Sequence, residues 1–385
     1  MSKILIVANS SWYLYNFRLG LINSLLDRGY ETITLAPEDD LSEKLILTGC
    51  HYIHLQIDNK GLNPVKDLMM KKMLDKHYRE IKPDLILHYT IKPVIYGSMS
   101  AVKLSIPFIN NITGLGTVFI RRNWVTWLVK CLYRLSQKKA DHVFFQNADD
   151  RELFSREKLV PENVPKEVIP GTGIDTHYFN VRPYPESNPV TFLLIARMLW
   201  DKGVGEFVEA AKEVKKEFPN SQFQLLGYLD VLNRTAISHQ QIEAWTSDGT
   251  IEYLGETEEV QPFLEKAGCV VLPSYREGLP RALLEAAASA RPIIATNVTG
   301  CREVVDHGVN GFLCKVKSID DLTKKMKDMI NLSTDERREM GLKGREKIER
   351  GFSERVTVAR IIEIINRLID KSEDSKNPCG VNGNV

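Results

Sequence analysis

Short apolar runs alternate with longer amphipathic stretches along the whole chain. Runs such as Ile4-Leu-Ile-Val-Ala8 and Cys269-Val-Val-Leu272 are apolar at every position, the pattern of a strand covered on both faces of a parallel sheet. The pattern predicts strands at 4–8, 32–36, 52–55, 85–88, 108–111, 142–146 and 167–169. It restarts with strands at 190–196, 222–226, 251–254, 270–272, 292–295 and 311–314. Helical-period stretches between them give βαβ units, so the expected fold is α/β, with two Rossmann-like doubly wound domains. The polar stretch 178–188, with two prolines, reads as an interdomain linker. The expected division is an N-terminal domain 1–180, a C-terminal domain 181–353, a helix 354–371 packing back toward the first domain, and a polar disordered tail 372–385. Such domains in tandem would face a central cleft along their strand C-terminal edges, where ligands of these sheets bind.

Composition narrows the class. With 385 residues, 43% of them hydrophobic, the chain can fill two cores. A net charge of +1 gives no case for nucleic acid. Six cysteines lie scattered without CxxC or Cys/His spacing, so neither zinc nor a disulfide framework is expected. No signal peptide precedes the first strand and no uncharged run is long enough to span a bilayer, which reads as a cytoplasmic protein.

Chemistry concentrates in Pro273-Ser-Tyr-Arg-Glu277-Gly-Leu-Pro280-Arg-Ala-Leu-Leu-Glu285-Ala. Gly278 and Pro280 make a turn, with Pro280 suited to the first helical position, where no N–H is needed. Glu277 then lies at a helix mouth and Glu285 about a turn and a half inside. A helix mouth offers free N–H groups and a positive dipole end, which suits phosphate. Carboxylates beside and behind it suit a diphosphate flanked by hydroxyl-rich rings. Most glutamates are simply solvated, but Glu285 falls in the small, apolar stretch 282–290, where a carboxylate needs a partner.

The second domain opens with Phe192-Leu-Leu-Ile-Ala-Arg197-Met-Leu-Trp-Asp-Lys202-Gly203. Alone, these are two cations flanking a turn. Beside the 277–285 segment at the same sheet edge they read as a diphosphate clamp, Arg197 by its fork and Lys202 as a point charge. A nicotinamide dehydrogenase would share the alternation, but the first strand ends in Ala8-Asn-Ser-Ser-Trp-Tyr, without GxGxxG. Arg197, Lys202 and the helix mouth supply positive charge, and no paired-acid metal motif stands out, with the acidic doublets Asp39-Asp40 and Asp149-Asp150 reading as solvated loop ends, so no metal and no cofactor are expected. His88, at a strand end, reads as hydrogen-bonded structure.

Together, Arg197-x4-Lys202-Gly203, Glu252-Tyr-Leu-Gly255, the Glu277-x7-Glu285 segment and Thr299-Gly-Cys-Arg-Glu303-Val-Val-x3-Gly308-x2-Gly311 resemble family 4 of the retaining glycosyltransferases, which have the GT-B fold. The likeness spans nearly the whole chain and is densest over 190–315. Tyr15-Asn-Phe-Arg18, Thr90-Ile-Lys92-Pro93 and Thr113-Gly-Leu-Gly116 are similar to bacterial members that extend polyprenyl-diphosphate-linked sugars, such as those adding α-N-acetylgalactosamine in lipid-linked N-glycan assembly. The resemblance implies that Arg197 and Lys202 hold a diphosphate, Glu285 the ribose diol, and Glu277 the transferred sugar. It places the amides around Gly278, Leu279 and Pro280 near sugar and phosphate, and backbone near Gly255 and Thr257 at the base of a uridine nucleotide. Catalysis is thus assigned to Glu277, Arg197 and Lys202, whose cations meet charge developing on the leaving group. Glu303 reads equally as structural or donor-contacting.

Two departures from the family pattern stand out. Many members carry a glycine pair after the first strand, where this chain has Asn9-Ser10-Ser11, and many carry a histidine where it has Thr113. A threonine cannot act as a base, which leaves a front-face route in which the departing phosphate oxygen takes the acceptor proton. Arg18, Lys92, Thr113 and Gly114 are placed on the acceptor side, with a plain surface role the alternative for Arg18 and Lys92.

Between Asp84 and Asp141 lie 56 residues without Asp or Glu, where the average content would give about seven. Eight cations fall there, among them Arg121 and Arg122, close to Trp124 and Trp127. Sheet packing accounts for Leu128, Leu132 and Leu135, but not for the missing acids or for tryptophans beside cations. That combination suits an anionic membrane interface. The reading is a retaining glycosyltransferase moving a hexose or N-acetylhexosamine from a UDP-sugar to a lipid-linked sugar, peripherally bound at the inner face of the cell membrane. The alternatives are a nucleotide-sugar epimerase and a catalytically inactive GT-B scaffold.

Overall fold

The structure, a computed structural model, describes residues 1–57, 63–114, 124–186, 189–229 and 233–376. The chain forms two units, Met1–Thr172 with Arg355–Val385, and Gly173–Glu354.

The first unit holds a parallel sheet of β1 (Lys3–Val7), β2 (Glu31–Ala36), β3 (His51–His54), β4 (Leu85–Tyr89), β5 (Phe108–Ile112), β6 (His142–Phe145) and β7 (Lys166–Val168), in the order β3-β2-β1-β4-β5-β6-β7. The second holds β8 (Thr191–Ile195), β9 (Gln222–Leu226), β10 (Glu252–Tyr253), β11 (Cys269–Leu272), β12 (Ile293–Thr296) and β13 (Gly311–Cys314), in the order β10-β9-β8-β11-β12-β13. All thirteen expected strands are present, each end within one residue of its expected position. They are legible because both faces of each sheet are covered: Leu5 and Val7 enter one core while Ile4 and Ile6 enter the other. In each sheet the strand order reverses beside the first strand, at β1/β4 and at β8/β11, where doubly wound sheets bind ligands.

The unit boundary falls earlier than the polar stretch suggested. Residues 176–184 belong to the second unit because the buried Arg291 and the half-buried Arg345 hold their carbonyls. Arg345 donates to Thr176 O and Phe179 O at 3.0 and 2.6 Å, and Arg291 to Arg182 O and Pro183 O at 3.2 and 2.8 Å. The Tyr184 hydroxyl donates to Gly268 O at 2.6 Å. Pro183 therefore marks a strap rather than a free linker.

The terminal helix, Glu354–Lys376, lays Ile361, Ile362, Ile365 and Ile369 on the core face of Ile4 and Ile6. Arg360 forks onto Glu167, Nε–Oε1 2.7 Å and Nη2–Oε2 2.8 Å. The tail is a correction in part: residues 372–376 continue this helix, and 377–385 lie outside the described residues.

Candidate active site

Three loops converge at the C-terminal edge of the second sheet, one after each of the adjacent strands β8, β11 and β12. After β8 the turn Trp200–Lys202 ends at Gly203, whose φ is 74°. A Cβ there would stand 2.1 Å from the Pro273 carbonyl oxygen, so only glycine lets the first loop lie on the second. Tyr275 N and Ser274 Oγ both donate to Asp201 O, at 2.9 and 3.2 Å, stitching the two together. After β12, Gly300 (φ 82°) lies so close that a Cβ would be 2.6 Å from Gly278 O, and Glu277 N donates to Thr299 O at 3.3 Å.

This packing brings the Lys202 ammonium into a hydrogen-bonded ion pair with the Glu277 carboxylate, side chains 21% and 12% exposed. Lysine carries three donors, so two remain for another acceptor. The pair's field reaches the buried Cys301 thiol, whose pKa is pushed up by burial first and by Glu277 next, against Lys202. Arg197 stands exposed beyond the end of β8, and among the described residues its guanidinium has no hydrogen bond. The structure thus joins Lys202 to Glu277 but shows no contact of Arg197 with either.

Behind Glu277, the helix Arg281–Ala288 starts after Pro280, which is its N-cap rather than its first turn. Among the described residues no side chain caps it, and its first turn carries no acid to offset its positive end. Glu285 is 8% exposed, and Arg281 Nε donates to its Oε1 at 2.8 Å. Burial raises the Glu285 pKa and Arg281 opposes the rise. Arg281 is the partner this carboxylate required, and its signal, an arginine four residues ahead on one helix face, is present in the sequence.

Gly255 has φ 79° with open space around it, and its carbonyl accepts from Gly227 N at 2.8 Å. The Thr257 hydroxyl is engaged locally, accepting from Glu259 N at 3.0 Å. A cavity of about 780 Å³ opens between this loop and the helix His239–Thr246, lined by Tyr253, Gly255 and Glu256 among others, and apart from Lys202, Glu277 and Glu285.

In the first unit the acceptor-side candidates are more buried than expected. Arg18 is 3% exposed, stacks 4.1 Å from the Tyr89 ring and donates to Tyr13 Oη at 2.8 Å. That overturns a surface role. Lys92 pairs with Asp67 at 2.7 Å, and Tyr96 donates to the same carboxylate at 2.9 Å. Thr113 and Gly114 follow β5, half-buried, Gly114 with φ 119°. Where the family carries a glycine pair, Ser10 caps Tyr13 N at 3.1 Å and Asp39 accepts from Trp12 N at 2.7 Å. Asp39 is therefore a helix cap, and Asp150, 1% exposed, is core, so neither is a solvated loop end, whereas their neighbours Asp40 and Asp149 are exposed.

Arg121 and Arg122 lie outside the described residues. On the helix Trp124–Ser136, Val129 and Tyr133 are buried while Trp124 and Trp127 are 72% and 67% exposed. Leu135 is 54% exposed and so does not pack on the sheet, a correction: the inward stripe runs through 126, 129, 133 and 136. Among the described residues no helix is long and apolar enough to cross a membrane.

Residues 180–347 match the family described as glycosyl transferases group 1, and 3–147 the family glycosyl transferase 4-like. The N,N'-diacetylbacillosaminyl-diphospho-undecaprenol alpha-1,3-N-acetylgalactosaminyltransferase of Campylobacter jejuni is 29% identical, over 92% of this chain and 96% of that protein. The UDP-Gal:alpha-D-GlcNAc-diphosphoundecaprenol alpha-1,3-galactosyltransferase of Escherichia coli is 25% identical over 81% of each. Among solved structures, sucrose-phosphate synthase from Thermosynechococcus elongatus matches with TM-score 0.79 at 15% identity, covering 96% of this chain and 100% of that one. HepE of Anabaena in complex with UDP-glucose matches with TM-score 0.79 at 17% identity, covering 95% and 100%. The fold is GT-B, and the chain belongs to the group 1, 4-like glycosyltransferases.

Proposed function

We propose that this enzyme moves a hexose or N-acetylhexosamine from a UDP-sugar to a polyprenyl-diphosphate-linked sugar, with retention and without a metal ion. The observation that carries the reading is the Lys202–Glu277 pair at the mouth of an uncapped helix holding a buried Glu285. The relatives named for undecaprenyl-diphosphate-linked acceptors support the substrate class.

In this reading the diphosphate is held by Arg197, the remaining Lys202 donors and the helix mouth. As the glycosidic bond breaks, negative charge grows on the leaving phosphate, and preplaced cations lower the barrier there most. Glu277 accepts hydroxyls of the transferred sugar while fixing Lys202. Glu285, paired with Arg281, accepts the ribose diol, and the Gly255 and Thr257 backbone meets the uracil. The Gly278 and Leu279 amides lie beside sugar and phosphate; Pro280 has none to give. With Thr113 in place of a base, the leaving oxygen takes the acceptor proton on the same face, which retains the anomeric configuration. Thr113 and Gly114 shape the acceptor side, with the buried Arg18 and the Asp67-paired Lys92 as supports. Trp124 and Trp127 dock the enzyme on the anionic inner face of the cell membrane.

The test is a panel of UDP-sugars, with and without a lipid-diphosphate sugar acceptor, in EDTA. Acceptor-dependent UDP release with an α-linked product is expected. Loss of turnover in EDTA would remove the metal-free mechanism; an altered donor sugar without acceptor would mark an epimerase; UDP binding without turnover would mark a scaffold.

A further inference from the structure

We propose that the first two turns of the helix Pro64–Ile81 form a second membrane footprint, which seats on anionic phospholipid together with the tryptophan helix. The proposal rests on the membrane reading above and extends it to a stretch outside the acid-free segment.

Asn63 caps this helix, accepting from Val65 N at 3.0 Å and Lys66 N at 3.3 Å, so its start is ordered. It carries two apolar stripes. Met70, Leu74 and Tyr78 are buried in the core, as an amphipathic helix requires. Val65, Leu68 and Met69 form a second stripe facing away, 67%, 56% and 61% exposed. A helix lying on a sheet has no folding reason to expose three large apolar side chains at i, i+3 and i+4.

Charge sorts to match. Two acids of this helix turn inward and are neutralised: Asp67 by Lys92 and Tyr96, and Asp75 by Lys71 at 3.3 Å and Lys103 at 2.7 Å. The third, Glu80, is exposed in the last turn, away from the first two, and pairs with Lys76 at 3.8 Å. Lys66 and Lys72, by contrast, are exposed alongside Val65, Leu68 and Met69. Among the described residues the outward face of the first two turns is thus apolar and cationic, the composition an anionic bilayer surface selects.

The helix also lies on the right side of the sheet. It and Trp124–Ser136 both pack on the segment formed by Pro93–Gly97 and Ser98–Leu104, and Met70, Tyr78, Val94, Val129 and Tyr133 share one core cluster. Both helices therefore cover the same sheet face and turn their outer sides away from it. Lys103, 55% exposed at its side chain, lies on the intervening helix and Lys138 and Lys139 follow the tryptophan helix, so cations continue across the patch.

The experiment is co-sedimentation of the full-length protein with vesicles of phosphatidylglycerol and phosphatidylcholine, and with phosphatidylcholine alone. The variants are Val65→Ser/Leu68→Ser/Met69→Ser, Lys66→Ala/Lys72→Ala and Trp124→Ala/Trp127→Ala, each checked for an unchanged melting temperature. The triple variant is expected to lose roughly tenfold or more in partitioning to anionic vesicles, the scale of withdrawing three part-inserted apolar side chains. The lysine variant is expected to lose less, and only on anionic vesicles. If the triple variant binds like wild type while the tryptophan variant fails, this footprint is wrong and the membrane reading survives. If wild type ignores anionic vesicles, both fall. If the triple variant instead dissolves a wild-type dimer without changing vesicle binding, the stripe is a protein interface and the proposal is overturned.

Discussion

Replacing Glu285 by Gln should weaken the donor site and strengthen the fold at once. The side chain is 8% exposed, with Oε1 occupied by Arg281 Nε at 2.8 Å, which leaves Oε2 to accept hydroxyls. Gln keeps the volume but loses the charge. A hydrogen bond to a charged group contributes about 1.5–3 kcal/mol, so donor kcat/KM should fall about 10- to 150-fold. Stability moves the other way. Burial raises the Glu285 pKa above its unfolded value, so the carboxyl favours the folded state at low pH. That contribution is fully present below the ordinary glutamate range and lost as pH rises through the raised value. At pH 8 wild type carries a penalised buried carboxylate and the Gln variant does not. Thermal melts should show the variant more stable at pH 8, the difference shrinking toward pH 4, while initial rates against UDP-sugar show the loss. A variant with unchanged kinetics, or one less stable at pH 8, would refute the reasoning.

Other changes test the framework. Tyr89→Phe removes a fully buried hydroxyl that, among the described residues, has no hydrogen-bond partner and whose pKa burial pushes up to about 12; denaturant titration should show a gain of about 1 kcal/mol. Arg291→Met strips donors from the carbonyls of Leu264, Glu265, Arg182 and Pro183 and should cost more than about 3 kcal/mol in urea unfolding. Gly203→Ala drives a methyl against Pro273 O and should lower both melting temperature and UDP affinity, whereas Gly249→Ala, at φ 71° with open space, should lose stability only.

Both sheets were legible because strands covered on two faces read as unbroken apolar runs, as Cys269-Val-Val-Leu272 does. The unit boundary was not, since it depends on arginines over a hundred residues away in sequence: Arg291 reaches Arg182 across 109 positions and Arg345 reaches Thr176 across 169. The Glu277–Glu285 segment announced itself by a turn followed by a carboxylate in an apolar helix. Its pairing with Lys202 spans 75 positions and appears only once Gly203 is seated on Pro273. Arg281 before Glu285 is legible in the sequence as an i, i+4 helix pair. Leu135 misled because apolar residues on one helix were assigned to one face, while the helix exposes a second apolar stripe. Lys92 and Arg18 misled in the opposite sense: cations in a linear sequence look solvated until Asp67 and Tyr89 are brought beside them.

A cationic grip at the mouth of the Arg281–Ala288 helix is the centre of the proposed mechanism. UDP should be titrated calorimetrically into wild type and into Arg197→Ala/Lys202→Ala, with turnover measured in parallel. Loss of an anion-directed cation pair predicts a fall of about 10²–10³ or more in turnover, with weakened UDP binding. Unchanged UDP affinity with undiminished turnover in the double variant would contradict it.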